Sequence, residues 1–234
     1  MRRSGMIKFD FHTHTRHSDG NASVIEMVEA AESRGMAAVA ITDHGPDTSV
    51  GVPPWEMESL LGEIEDARRD AGIRVLSGIE ANVVDGAGNV DVDRRMIERL
   101  DFVIFSIHRI DDLIDPSEAA REYISRMTRA VRRGGASVIG HPFHYHQSLL
   151  PYLEREEVEE FVRTLSECGV AVELNMRYRA PDDGFLRLCL REGVKFSIGS
   201  DAHSAENVGR IDWALSALEK VGARREDMIL DGFL

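Results

Sequence analysis

Short apolar runs along this chain alternate with longer segments whose apolar positions recur at helical spacing. The runs Lys8 to Phe11, Ala37 to Ile41, Ile73 to Ile79, Phe102 to Ile107, Ser137 to Gly140, Val170 to Leu174 and Lys195 to Gly199 predict seven strands. Between them, Val24, Met27, Val28 and Ala31 mark a helix, with Ser23 and Glu26 placed as a capping box and Gly35 as its stop. Met57, Leu60, Leu61, Ile64 and Ala67 form a second stripe, and Tyr123, Ile124, Met127 and Val131 a third. Val158, Phe161, Val162 and Leu165 form another; Val208, Ile211, Leu215 and Leu218 form the last. Shorter helical stretches at 94–100 and 185–191 complete the alternation. Strand and helix alternating in this way predict an α/β fold with a parallel sheet and right-handed crossovers. No linker, low-complexity segment or charge block divides the chain, so residues 1–234 read as one domain.

Gly35-Met36, Gly72-Ile73, Gly135-Ala136, Gly169-Val170 and Gly193-Val194 stand where a helix ends and a strand begins, which keeps those connections short. The connections from strand to helix are longer, as in Gly45 to Pro54, His108 to Pro116, Pro142 to Leu153 and Met176 to Asp183. Long loops at the carboxyl ends of strands build the site in barrels and open α/β sheets alike.

Most of the histidines sit at those carboxyl ends, in the company of carboxylates. The stops read Asp10-Phe11-His12-Thr13-His14, Thr42-Asp43-His44, Glu80, His108, His141 and Ser200-Asp201-Ala202-His203. Residues two apart on a strand face the same side, so His12 and His14 can direct both imidazoles at one ion, as can Asp201 and His203. A single histidine of this kind is ordinarily a satisfied core or surface residue. Ligands converging from six strand ends point instead to a metal cluster.

Composition narrows the setting. With 234 residues and 43% hydrophobic content the chain can bury a sizeable core. No apolar stretch is long enough to span a membrane, and Met1-Arg2-Arg3-Ser4-Gly5 leads into a strand pattern and not a signal-peptide core, so a soluble cytoplasmic protein is expected. Cys168 and Cys189 lie within helical patterns, outside any Cys-x-x-Cys, and read as small buried residues in a reducing compartment. A net charge of -13 argues against general attraction to nucleic-acid backbones while leaving room for a local pocket that holds one phosphate. The acidic run 154–160 reads as a solvated helix face.

Taken in order, Asp10-Phe11-His12-Thr13-His14 with Ser18-Asp19-Gly20, Thr42-Asp43-His44, Gly78-Ile79-Glu80, His108, Gly140-His141-Pro142 and Gly199-Ser200-Asp201-Ala202-His203 resemble the motifs of the polymerase and histidinol phosphatase (PHP) family. The match runs nearly the length of the chain and is most similar to the small stand-alone phosphatase branch. The resemblance implies a distorted (β/α)7 barrel holding up to three divalent ions, a trinuclear site. It places His12, His14, Glu80 and Asp201 on the first ion, with Glu80 bridging to a second held by His108 and His141. Asp19, His44 and His203 would hold the third, where relatives often carry a histidine near the place of Asp19 and His17 is an alternative. Zinc, manganese and iron all suit such a donor set.

For such a site, a water bridging two ions has its pKa lowered toward about 7 and supplies hydroxide for attack on phosphorus. Asp201 can steer that nucleophile or accept its proton, and His17 or His203 can protonate the leaving group. Arg109 and Arg177 are candidate contacts for a substrate phosphate, ahead of Arg16 and Arg179, and Asn175 is a candidate hydrogen-bonding partner for substrate. His144 and His146 read as loop residues within reach of substrate. The expected activity is a metal-dependent phosphoric monoester hydrolase acting on a small phosphorylated metabolite. A non-phosphatase metal hydrolase of amides or lactones, and a non-catalytic metal-binding protein, are the alternatives. The oligomeric state is left open, a homo-oligomer included.

Overall fold

The computed structural model describes residues 8–110, 115–230 and 233; the opening Met1-Arg2-Arg3-Ser4-Gly5 and part of the loop after His108 lie outside the described residues. The strands are β1 (Phe9–Asp10), β2 (Ala38–Ile41), β3 (Arg74–Asn82), β4 (Phe102–Ser106), β5 (Val138–Ile139), a small hairpin of β6 (His144–Tyr145) and β7 (Gln147–Ser148), β8 (Ala171–Asn175) and β9 (Phe196–Gly199). Leaving the hairpin aside, the other seven pair in parallel in the order β1-β2-β3-β4-β5-β8-β9. Along and just beyond the ends of β1 and β9, Phe11 N donates to Ile198 O at 2.9 Å, Asp201 N to His12 O at 2.9 Å and His14 N to Ala202 O at 2.8 Å. These bonds nearly close the sheet into a barrel, and they bring the first and last histidine motifs side by side.

Around the strands lie α1 (Val24–Ser33), α2 (Met57–Asp70), α3 (Arg94–Ile97), α4 (Pro116–Arg133), α5 (Arg155–Cys168), α6 (Asp183–Arg191) and α7 (Asp212–Val221), so the fold is a distorted (β/α)7 barrel. The capping box at Ser23 and Glu26 is present, and it satisfies amides at the start of α1 that have no partner within the helix. Apolar stripes on α1, α2, α4 and α5 are buried against the strands. Gly169 and Gly193, at φ of 67° and 74°, adopt the left-handed conformation that turns the chain from helix to strand. No helix among the described residues is long and apolar enough to cross a membrane.

Four local expectations are corrected. β3 continues past Ile79 to Asn82, because β4 pairs with it from Gly78 to Asn82, so Glu80 lies inside a strand and not at its stop. Helix α3 is a single turn, and the rest of 94–100 turns directly into β4. Val208 and Ile211 are buried but precede α7, since Gly209 at φ 71° interrupts the helical path. Cys189 is buried as expected, whereas Cys168 is exposed at the last residue of α5. The antiparallel hairpin in the loop after β5 carries no period long enough to read from sequence.

Candidate metal centre

Each expected ligand reaches the same end of the barrel. His12 and His14 follow β1 while Thr13, between them, turns the other way and bonds Ala40 O at 2.8 Å, locking the segment against β2. His44 is drawn alongside Glu80 because Glu80 N donates to Asp43 O at 3.0 Å and Gly45 N donates to Glu80 O at 2.8 Å.

The Glu80 carboxylate is the hub. Its Oε2 lies 2.8 Å from His44 Nδ1, 3.3 Å from His12 Nε2 and 3.7 Å from His14 Nε2. Its Oε1 lies 2.9 Å from His141 Nε2 and 3.3 Å from His108 Nε2. A second centre forms at Asp19, within 3.2 Å of His203, 3.6 Å of His44 and 3.9 Å of His14. Asp201 Oδ1 is 3.5 Å from both His14 Nε2 and His203 Nδ1. Among the described residues, three sets have ligand atoms all within 4.8 Å of one another: His12, His14 and Glu80; His44, Glu80 and His108; and His14, Asp19, His44 and His203.

These residues fit metal ions on physical grounds. His12 Nε2, both ring nitrogens of His14, His44 Nδ1 and Glu80 Oε2 are buried and make no hydrogen bond of good geometry among the described residues. Each such orphan costs about 1–3 kcal/mol unless something satisfies it. Imidazole and carboxylate lone pairs converging on one space are satisfied together by divalent cations.

A ring of buried partners behind the ligands sets their orientation. Glu173 accepts from His12 Nδ1 at 2.7 Å, from His141 N at 2.6 Å and from Asn175 Nδ2 at 3.1 Å, so His12 presents Nε2 to the cluster. Gly199 makes room for this carboxylate, since a Cβ there would lie 1.9 Å from Glu173 Oε1. Asp43 accepts from Thr15 N, Thr15 Oγ1 and Ser18 Oγ at 2.7, 2.8 and 2.6 Å, shaping the turn that delivers Asp19. His141 and Asp201 are held at φ of 25° and 54°, which non-glycine residues seldom adopt and which tight side-chain placement can sustain. Sequence reasoning missed Glu173. The available signal was a carboxylate in an otherwise apolar strand, at the same parity as Asn175.

The other candidates fall around the rim. His17 turns away from the cluster, with Nε2 3.1 Å from Glu63 Oε1, while Asp19 sits within it. Arg177 Nη1 lies 2.9 Å from each ring nitrogen of His203 and 3.5 Å from Asp201 Oδ1. Arg109 is exposed immediately after His108, and Arg126 Nη1 donates to its carbonyl at 3.3 Å. Asn175 is fully buried, its amide donating to Glu173 and, at 3.2 Å, to Asp201. His144 stacks on Tyr178 with ring centres 4.0 Å apart, and Tyr178 meets His141 edge-on at 5.5 Å, so both form a wall beside the cluster.

The PHP domain model matches residues 10–177 of this chain. The chain belongs to the PHP domain family. A probable phosphatase of Acetivibrio thermocellus is 33% identical to this PHP protein, covering 91% of this chain and 86% of the relative. Another, from Caldanaerobacter subterraneus subsp. tengcongensis, is 30% identical over 94% and 85% of the two chains. Among solved structures, histidinol phosphate phosphatase from Lactococcus lactis, complexed with zinc, L-histidinol and phosphate, shares the fold with a TM-score of 0.68 at 21% identity, covering 94% of this chain and 95% of that one.

The PHP cluster is electrostatically polarised. Burial disfavours charge on His12, but Glu173, Glu80 and Asp201 outweigh it and hold the imidazole well above its ordinary value of 6.5. His44 and His141 are raised in the same way, burial being overcome chiefly by Glu80. For His14 burial prevails and the pKa falls to about 4; His108 is lowered for the same reason. Asp19 is pulled down to about 2, burial being outweighed by its bond to His203 and the nearby His44. Glu80 and Asp201 stay well below the carboxylate range because His12 and neighbouring histidines overcome burial.

A raised histidine stabilises the fold fully below 6.5, and that contribution is lost as pH climbs through its folded value. The carboxylates are ionised throughout this window, and His14 titrates below it. Chelator-treated protein should therefore lose thermal stability from about pH 6.5 upward, whereas added manganese should bind more tightly over the same range because its ligands must be deprotonated. Unfolding temperatures measured across that range with and without the metal check this; a stripped protein that gains stability as pH rises contradicts it.

Proposed function

We propose that this PHP protein is a metal-dependent phosphoesterase that hydrolyses the monoester of a small phosphorylated metabolite. The observation that carries the reading is the Glu80 carboxylate shared among five imidazoles, with orphaned nitrogens converging on it and an arginine at its rim. Probable phosphatases among its relatives, and the fold shared with a histidinol phosphate phosphatase, support it. His12, His14, Glu80 and Asp201 would hold one ion, Glu80, His108 and His141 a second, and Asp19, His44 and His203 a third. When bound, such ions supply a hydroxide at neutral pH and neutralise charge developing on the phosphoryl oxygens.

The chain's own residues complete the chemistry. Asn175 holds Oδ2 of Asp201, leaving Oδ1 directed toward His14, His203 and Arg177, where it can orient the attacking water and accept its proton. This assigns Asn175 to positioning Asp201 in place of contacting substrate. His203, part-exposed between Asp19 and Arg177, lies closer to the cluster than His17, which is turned to Glu63, and would protonate a leaving alkoxide only in the state in which it does not hold the third ion. Arg177 and Arg109 supply the fixed positive charge that a phosphate dianion requires.

The test is steady-state kinetics on a panel of phosphate monoesters with several divalent metals. The purified protein should retain more than one equivalent of metal, and chelation should abolish turnover. Arg177→Ala and Arg109→Ala should each weaken transition-state binding by about 2 kcal/mol, with metal content unchanged. Unchanged kinetics in both variants would move the anion site elsewhere, and efficient amide or lactone hydrolysis without phosphatase activity would replace the reading.

A further inference from the structure

Beside the cluster, a cleft of ≈ 400 Å³ opens from Asp201 and His203 and is lined further by Arg177, Ser200, Asn207 and Arg210. In a protein of net charge -13 it places two guanidinium groups around one lining carboxylate. Arg177 is engaged with His203 and Asp201, whereas Arg210 has no carboxylate partner among the described residues. Ser200, 7% exposed, lines the cleft while its buried hydroxyl lies beside the Asp10 carboxylate.

The walls are held in place from behind. The fully buried Asp10 carboxylate accepts from Ser200 N at 2.8 Å and from Gly209 N at 2.7 Å, tying the two ends of the cleft to the first strand. Arg34, at the end of α1, donates to Ala205 O at 2.9 Å and Glu206 O at 2.7 Å, pinning the middle of the same loop. Arg210 N donates to Asn207 O at 3.1 Å, which sets the two polar residues facing one cavity. A loop backbone fastened at three points leaves only the exposed Arg210 and Asn207 side chains to be ordered at the moment of binding.

We infer that this cleft receives a second anionic group of the substrate, so that the preferred substrates are phosphate monoesters carrying a further phosphate or carboxylate. The inference rests on the phosphoesterase reading: with the scissile phosphate at the cluster and Arg177 between the two spaces, a substituent leaving the cluster on the Asp201 side meets Ser200, Asn207 and Arg210. Hydrogen bonds from a guanidinium to an anion are charge-assisted and bidentate in geometry, which a neutral substituent cannot use.

The experiment compares matched pairs: fructose 1,6-bisphosphate against fructose 6-phosphate for a second phosphate, and 3-phosphoglycerate against glycerol 3-phosphate for a carboxylate. At least one doubly anionic member should show kcat/KM about tenfold above its partner, and Arg210→Gln should erase that preference while Arg210→Lys retains part of it. Preference in the first pair alone identifies phosphate as the second group, and in the second pair alone carboxylate. Because Arg210 is exposed, its replacement leaves the core intact, which circular dichroism and metal content verify. Turnover of p-nitrophenyl phosphate without preference in either pair, or equal losses on both members in Arg210→Gln, overturns the cleft assignment and leaves the phosphoesterase reading standing. Absence of turnover on every phosphate ester overturns both.

Discussion

Glu80→Gln should remove metal from two positions at once and lower kcat by about 100-fold or more, beyond the 10–100-fold range that loss of an outer partner costs. Both oxygens of Glu80 are committed: Oε2 faces His44, His12 and His14, and Oε1 faces His141 and His108. An amide offers one oxygen and turns an N–H2 toward the remaining imidazoles, so whichever way it rotates one side of the cluster meets a donor in place of a carboxylate. Asp19→Asn is the matched comparison, because among the described histidines Asp19 approaches His14, His44 and His203. It should weaken one position and spare the others. Elemental analysis of the two purified variants, alongside kinetics, separates these outcomes; loss of a single equivalent from both would contradict the shared carboxylate.

Glu173→Gln should lower metal affinity by about 10–100-fold although Glu173 lies outside all three candidate ligand sets. The carboxylate accepts from the His12 ring and the His141 backbone on its two oxygens, and from Asn175 besides. An amide can accept from only one of the first two and sets an N–H2 against the other in a buried space, which costs about 1–3 kcal/mol of folding stability as well. His12 would then be free to turn Nδ1 in place of Nε2 toward the cluster. Metal titration and thermal unfolding check both parts, and Gly199→Ala should reproduce the loss because its added methyl displaces the same carboxylate. Unaltered metal affinity in Glu173→Gln would show that His12 is oriented by other means.

What the sequence determined by itself was everything that depends on near neighbours along the chain. The strand and helix alternation, the Ser23–Glu26 capping box and the positions of His12, His14, His44, His108, His141, Asp201 and His203 past strand ends follow from periodicities of two and 3.6 and from local hydrogen bonds. Because parallel strands in a barrel share one carboxyl end, those positions already imply a common site. Only the tertiary structure decided which side chains meet. Glu173 reaches His12 across 161 residues, Asp10 holds Gly209 across 199, and His17 turns to Glu63 while Asp19 turns inward. Such choices follow from how strands register and loops fold over them, and a residue's own neighbours carry no record of distances across a barrel. The ends of β3 and α7 were set likewise, by the pairing of β3 with β4 and by the left-handed Gly209.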